Sequence, residues 1–410
     1  MKVETRKSTR SSVVLLPAFL AAMAEQPALA VSFAGLGDLP GGAFSSDAAG
    51  ISADGKVVVG SSMSESGQTA FMWTASSGMV GLGVLGADSG GKLRSYANAV
   101  SADGSVVAGG TTSSASVSGT EAFVWSQATG MIGLGMLPGG STSNATAITA
   151  DGSAVIGYGS ANGYTLESGI WRAGSGWTEL GDLAGGQAYS YAWDASANGS
   201  VVVGIGNSGN LEAFRWTETG GMAGLGTPAS ATRSEAFGVS SDGGIVVGSF
   251  GTSTGKQAAY WTADEGWVGL GSLGHANSFA TDVTDDGTMI VGTAMTYDVS
   301  TDTLDSIGLI WDSVNGTKNA NEVLTDVYGL DLAGWLITAV TGVTADGSFL
   351  VGRGINPDGN QEAWIADLRT TPVPAPAAVW LFGTALPGLL VFGKCRKDSR
   401  GINFEGLSRS

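Results

Sequence analysis

One short pattern is written seven times along the chain: a strand of small residues, an Asp-Gly or Asn-Gly turn, a valine-rich strand and a strand ending in tryptophan. The turns are Asp54-Gly55, Asp103-Gly104, Asp151-Gly152, Asn198-Gly199, Asp242-Gly243, Asp286-Gly287 and Asp346-Gly347. The tryptophans follow in step at Trp73, Trp125, Trp171, Trp216, Trp261, Trp311 and Trp364. A unit of roughly 45–50 residues with four strand-like runs buries its apolar faces by stacking on copies of itself, the pattern of a β-propeller blade. In the first copy, Ala48-Ala49-Gly50-Ile51-Ser52 is the innermost strand. Asp54-Gly55 then turns the chain, both residue types tolerating the positive φ of a tight hairpin. Lys56-Val57-Val58-Val59-Gly60 is apolar after its first residue, as in a strand covered on both faces. Stretches 69–74 and 79–85 supply the third and fourth strands.

The small residues recur by position. Six before each turn Asp or Asn stand Ala48, Ala97, Ala145, Ala192, Ala236, Ala280 and Val340. Two later come Gly50, Ala99, Ala147, Asp194, Gly238, Asp282 and Gly342. Inner strands converge on the propeller axis, so residues facing the next blade must be small. Strict alternation puts these two columns on one face and Ile51, Val100, Ile148, Ala195, Val239, Val283 and Val343 on the other. At the ends, 33–39 reads as a fourth strand with nothing before it, and 362–368 as a third strand with nothing after it. Pairing them completes a seventh blade and removes two exposed sheet edges. The expected fold is all-β: seven four-stranded antiparallel blades in one domain, 31–368, closed by pairing of the N-terminal strand with the last blade. The irregular stretch 319–334, with Asn321-Glu322-Val323-Leu324-Thr325-Asp326-Val327-Tyr328, is expected to form a short helix that covers the core.

Glycine is 67 of 410 residues, but its fixed offsets mark turns and close approaches rather than low complexity. The formal net charge is −17, and between Val31 and Gly393 only 10 basic residues face 32 acidic ones. Such a surface repels phosphate backbones, which excludes nucleic acid as a partner. The single cysteine, Cys395, lies outside the repeats, so no disulfide framework is available to the domain.

Both ends read as addresses. Lys2, Arg6, Lys7 and Arg10 precede an apolar run at 13–24 and then Ala28-Leu29-Ala30. Basic segment, short hydrophobic core and small residues Ala28 and Ala30 make a secretory signal peptide over 1–30. At the other end a proline-rich linker, 369–376, leads to a hydrophobic stretch that Lys394, Arg396 and Lys397 terminate. It is expected as a separate hydrophobic helix with a basic stop, 377–397, near the lower limit for spanning a bilayer, followed by a disordered tail, 398–410. Val373-Pro374-Ala375-Pro376-Ala377-Ala378-Val379-Trp380-Leu381-Phe382-Gly383-Thr384 closely resembles the VPxP form of the PEP-CTERM sorting signal, with Ala375 where the name-giving motif has Glu. The resemblance implies an exosortase-like transpeptidase as partner and transient inner-membrane anchoring. It also implies delivery to the surface of a Gram-negative bacterium that makes extracellular polysaccharide. The repeats resemble the HAF-repeat family of extracellular proteins through Gly-Leu-Gly-Asp-Leu-Pro-Gly-Gly at 35–42 and Ala-Phe-Met-Trp at 70–73. Ala-Phe-Val-Trp at 122–125 and Ala-Phe-Arg-Trp at 213–216 match as well. The name-giving histidine is replaced by Thr69, Glu121 or Glu212. This resemblance implies export and a propeller, and it brings no established catalytic residues.

The chemistry-bearing residues are few. One histidine, His275, is expected as a surface loop residue and supports neither a Ser-His-Asp triad nor a multi-histidine metal site. No cofactor is expected; the one ion weighed is a weak structural calcium among Asp285, Asp286, Asp298, Asp302 and Asp305, where no twelve-residue calcium loop is spelled out. The Gly-Leu-Gly motifs at 81–83, 133–135, 224–226 and 269–271 have no following helix and are not phosphate loops. The positions seven and nine before each turn vary while their neighbours repeat, and the topology places them where inner strands enter the ring. Arg94, Tyr96, Tyr189, Tyr191, Arg233 and Glu235 are therefore the candidate ligand face, able to stack on and hydrogen-bond to a sugar or peptide. The expected function is a secreted or surface-sorted binding or structural protein, associated with extracellular polysaccharide, biofilm matrix or a surface protein. The alternative is a polysaccharide-acting hydrolase or lyase on the same scaffold.

Overall fold

The computed structural model describes residues 31–116, 119–161 and 165–369. The signal segment with Ala28 and Ala30 lies outside the described residues, as does everything from 370 onward: the sorting residues Val373, Pro374, Ala375, Pro376, Lys394, Arg396 and Lys397, the hydrophobic helix and the tail.

Seven four-stranded antiparallel sheets follow one another around an axis. Blade one is Gly41–Ile51, Val58–Ser64, Gly67–Thr74 and Gly78–Gly81, each strand paired with the next. Its fourth strand is shorter than the sequence pattern suggests. Blades two to six repeat the order, and blade seven joins Leu336–Val343, Phe349–Ile355 and Gln361–Asp367 to the N-terminal strand Ser32–Gly35. Ser32 opposes Asp367 and Gly35 opposes Trp364, so the ring closes as the sequence predicts. Beyond the paired strand, the Leu36 N–H donates to the Ala363 carbonyl at 2.9 Å and the Gly37 N–H to the Glu362 carboxylate at 2.8 Å. The Phe33 ring packs on Trp335 and Trp364, with centroids 5.3 and 5.7 Å away.

The turns work differently from the sequence reading. Only the glycine takes positive φ (73° at Gly55); among the described residues the non-glycine cases are Leu273, Asp302 and Ala333. Asp54 acts through its carboxylate, which accepts the Ser52 hydroxyl at 2.9 Å and the Lys56 N–H at 3.0 Å. The Ser52 oxygen accepts the Val57 N–H at 3.0 Å. The same hydroxyl-to-turn bond recurs at Ser101, Thr149, Ser196, Ser240, Thr284 and Thr344. Ser/Thr two residues ahead of Asp/Asn is thus part of the turn code.

A β-bulge in every innermost strand corrects the alternation. Ala48 opposes Gly60 and Gly50 opposes Val59, leaving Ala49 as an extra residue. Asn98, Thr146, Trp193, Phe237, Thr281 and Thr341 are the extra residues of the other blades. One inserted residue flips the parity behind it. Ala48 and Ile51 therefore share a face, packed with Val58 and Phe71, rather than lying on opposite faces.

Cores form between neighbouring blades. Val59, Ala70 and Leu82 of blade one meet Ala97, Val107 and Phe123 of blade two; each fully buried Phe of this kind contributes about 1.5–3 kcal/mol. A serine eight residues before the turn staples six of the seven junctions; in blade seven the position is Thr338, whose hydroxyl bonds the Arg353 carbonyl of its own blade instead. Ser95 accepts the Ala70 N–H at 2.9 Å and donates to the Gly83 carbonyl at 2.6 Å. Ser143, Ser190, Ser234 and Ser278 do the same, and Ser46 does it across the closure to Ala363 and Gly37. The Gly-Leu-Gly motifs also have a structural cause. The Glu121 carboxylate fills the space a side chain at Gly133 would need, and it accepts the Gly135 N–H at 3.0 Å. Glu212 serves Gly224 and Gly226 in the same way, as Glu362 serves Gly35 and Gly37. The irregular stretch forms the expected short helix, Ala320–Glu322 running into Val323–Val327, with Val323 and Leu324 buried against Ile310, Ile337 and Trp364.

Candidate ligand site at the channel mouth

The bulges build the site. All seven extra residues line a central cavity of about 900 Å³, the size range of small-molecule pockets. At the Asp-Gly end the blades are drawn together by backbone bonds from Ala53 to Ala102, Ala102 to Ala150, Ala150 to Ala197 and Ala197 to Ser241, at 2.8–3.0 Å. The strand-entry end forms the mouth.

The lining is divided. Blades one and seven give a polar sector in which Arg353 donates to Asp47 at 2.8 Å. Blades three to six give an unbroken run of rings. Tyr158 stacks on Tyr191 with centroids 3.8 Å apart, Tyr191 lies 4.5 Å from Trp193, Trp193 meets Phe237 edge-on at 5.7 Å, and Phe237 meets Phe279 at 6.1 Å. The Lys256 ammonium stands 5.2 Å over Phe279 and pairs with Glu235 at 2.7 Å. Tyr96 continues the lining on blade two. Burial pushes the Tyr96 and Tyr191 phenols above their ordinary range, so both remain neutral donors.

Below the rings two carboxylates face the lumen, where five other blades have glycine or alanine. Each reaches across to the next blade: Asp194 accepts the Val239 N–H at 2.9 Å, and Asp282 the Val343 N–H at 2.9 Å. Desolvation pushes Asp194 up to about 6 against the pull of its backbone donors. Desolvation, with the nearby Asp194 charge, pushes Asp282 up to about 7. Two buried polar atoms of the lining, Asn144 Oδ1 and Trp193 Nε1, have no hydrogen-bond partner in the protein.

Of the six sequence-predicted ligand residues, Tyr96 and Tyr191 line the cavity and four do not. Arg94 and Tyr189 precede the first strand residues Ser95 and Ser190 and are not among the lining residues. Glu235 is buried in its pair with Lys256, and Arg233 lies 3.9 Å from the same carboxylate. Sequence reasoning missed Trp193 and Phe237, which the bulge turns to the lumen, and Tyr158 on the second strand of blade three. Its one signal was a column that varies between two repeating columns. His275 is also corrected: its side chain is only 12% exposed, with Nδ1 3.4 Å from the Thr296 hydroxyl. The aspartates considered for calcium do not gather. Asp286 is used by its turn and Asp298 by Ser300, and no cluster of three metal-ligating side chains exists among the described residues.

No family model matches the chain, and no curated protein sequence does. Solved structures do. An oligogalacturonate lyase from Vibrio parahaemolyticus superposes with a TM-score of 0.53 at 10% identity, covering 83% of this chain and 97% of that one. Another oligogalacturonate lyase, in complex with manganese, gives 0.49 at 12% identity over 81% of this chain and 89% of that one. TolB from Acinetobacter baumannii gives 0.44 at 12% identity over 67% of this chain; this chain spans 62% of that TolB. At these identities the likeness concerns the fold: the chain is a seven-bladed β-propeller.

Proposed function

We propose that this propeller is an exported, non-catalytic protein that binds a neutral saccharide of the extracellular matrix at the mouth of its channel. The observation that supports this most is the run of aromatic rings Tyr158, Tyr191, Trp193, Phe237 and Phe279 along one wall of the cavity. Aromatic faces pack against the apolar faces of sugar rings, while the phenol, indole and amide groups beside them serve hydroxyls. The charge balance favours a neutral ligand, since a uronate-rich polymer would meet an acidic protein and two lumen carboxylates. Export through the signal peptide, processing by an exosortase-like enzyme and surface delivery complete the reading, and rest on the two terminal segments.

Co-sedimentation with neutral matrix polysaccharide tests it. Tyr191→Ala with Tyr96→Ala is expected to weaken binding at least about tenfold, the loss of one good contact. Unchanged retention would sink the site assignment.

A second reading has its own support. Asp194 and Asp282 are two carboxyls with raised affinity for protons, facing a cavity, which is how a hydrolase or lyase stores its acid and base. Against it, each already holds a backbone N–H of the next blade. Release of reducing ends from the bound polysaccharide would favour this reading; binding without cleavage favours the first.

A further inference from the structure

Blade six carries a longer hairpin than the others. Its second and third strands, Met289–Asp298 and Thr303–Asp312, have 10 residues each, where other blades have six to eight. The extra length is at the mouth end. Thr293 and Met295 line the cavity, and the period of two in a strand puts Tyr297 on the same face. Leu304 is the cross-strand partner of Tyr297 and shares that face. Both stand in solvent, Tyr297 at 53% and Leu304 at 57% exposure. Four residues of strand carry Tyr297 about 13 Å beyond Thr293, at ~3.3 Å per residue. The tyrosine is held in place, its hydroxyl donating to Asp302 at the hairpin turn. A ring fixed before binding loses little entropy on contact.

We propose that the ligand is a polymer rather than a single sugar, and that it leaves the channel over the Tyr297 and Leu304 face, a second subsite on blade six. This rests on the saccharide reading above. Phe279, the last ring of the channel wall, is the cross-strand partner of Thr293, and Thr293, Met295 and Tyr297 alternate onto one face, so one chain can follow both.

The test compares intact neutral matrix polysaccharide with the same material hydrolysed to di- and trisaccharides. Each is titrated against the wild-type protein, Tyr297→Ala, Leu304→Ser and Tyr191→Ala. Wild type is expected to bind polymer about tenfold more tightly than fragments, by one further contact of this size. Tyr297→Ala and Leu304→Ser should erase that advantage and leave fragment binding unchanged, while Tyr191→Ala should weaken both. Equal affinity for polymer and fragments in the wild type would overturn the second subsite and leave the channel site standing. Hairpin variants that bind polymer as wild type does, or weaken both lengths alike, would do the same. Failure of the wild type to bind either material would overturn the saccharide reading itself and the subsite with it.

Discussion

Gly204→Ala is expected to destabilise the protein by about 3 kcal/mol or more, because the new methyl has nowhere to go. Gly204 lies in the second strand of blade four, opposite Ala192, where the neighbouring strand bulges. A Cβ there would collide with the Tyr191 carbonyl oxygen and lie 2.8 Å from the Phe214 ring and 2.9 Å from the Ala192 Cα. Two of these obstacles are backbone and cannot rotate away. The same close approach occurs in every blade, at Gly60, Gly109, Gly157, Gly248, Gly292 and Gly352, each against the carbonyl of the residue seven before its turn. Glycine here allows the bulge, and the bulge delivers Trp193 and Phe237 to the channel. Gly86→Ala is the control: its added Cβ would meet only the Ser114 nitrogen, 3.9 Å away, and should leave the melting temperature within experimental scatter. If Gly204→Ala melted with the control, the approach of the two strands would be wrong.

The second large effect is a loss of stability with rising pH. Asp282 has its pKa raised from 3.8 to about 7, and Asp194 to about 6. A carboxyl raised on folding keeps its proton longer in the folded chain than in the unfolded one. Between pH 4 and pH 7 the folded state therefore binds more protons, and stability falls as pH rises through this window. At ~1.4 kcal/mol per unit the pair together costs several kcal/mol at pH 8, and mutual repulsion makes ionising both harder than ionising either alone. Asp194→Asn with Asp282→Asn should flatten the profile between pH 5 and pH 8, and should melt above the wild type at pH 8. Each asparagine oxygen can still accept the Val239 or Val343 N–H, so the bridge between blades survives. A wild-type melting temperature constant over this range, or an equal fall in the double variant, would contradict the assignment.

The blade count and the closure were legible because turn and tryptophan recur at a fixed spacing, and because 33–39 and 362–368 each lack what the other supplies. The channel lining was only half legible. A bulge is one unpaired residue, and pairing is not written in a single strand. The alternation drawn through Ala192 and Asp194 therefore failed at Trp193. Arg94 and Tyr189 misled for a related reason: a variable column marks freedom from packing, and nine residues before the turn that freedom belongs to the loop that precedes the strand. Tyr158 lies in a valine-rich strand position that gave no warning. The inter-blade serines, by contrast, stood in plain view as Ser46, Ser95, Ser143, Ser190, Ser234 and Ser278. Their regular spacing was the signal, and its meaning depends on partners in the preceding blade.

A single covalent trap tests the ring on which every site residue depends. Ala34 and Ile365 are cross-strand partners in the closing blade. Antiparallel partners have Cα atoms about 4.5–5.5 Å apart, within the span of a disulfide. In a Cys395→Ser background, Ala34→Cys with Ile365→Cys should oxidise to one intramolecular bond, detected as linked peptides by mass spectrometry and as a monomer that migrates faster without reductant. Free thiols, or bonds found only between molecules, would mean that the first and last strands do not meet, and the channel mouth would have no closed wall.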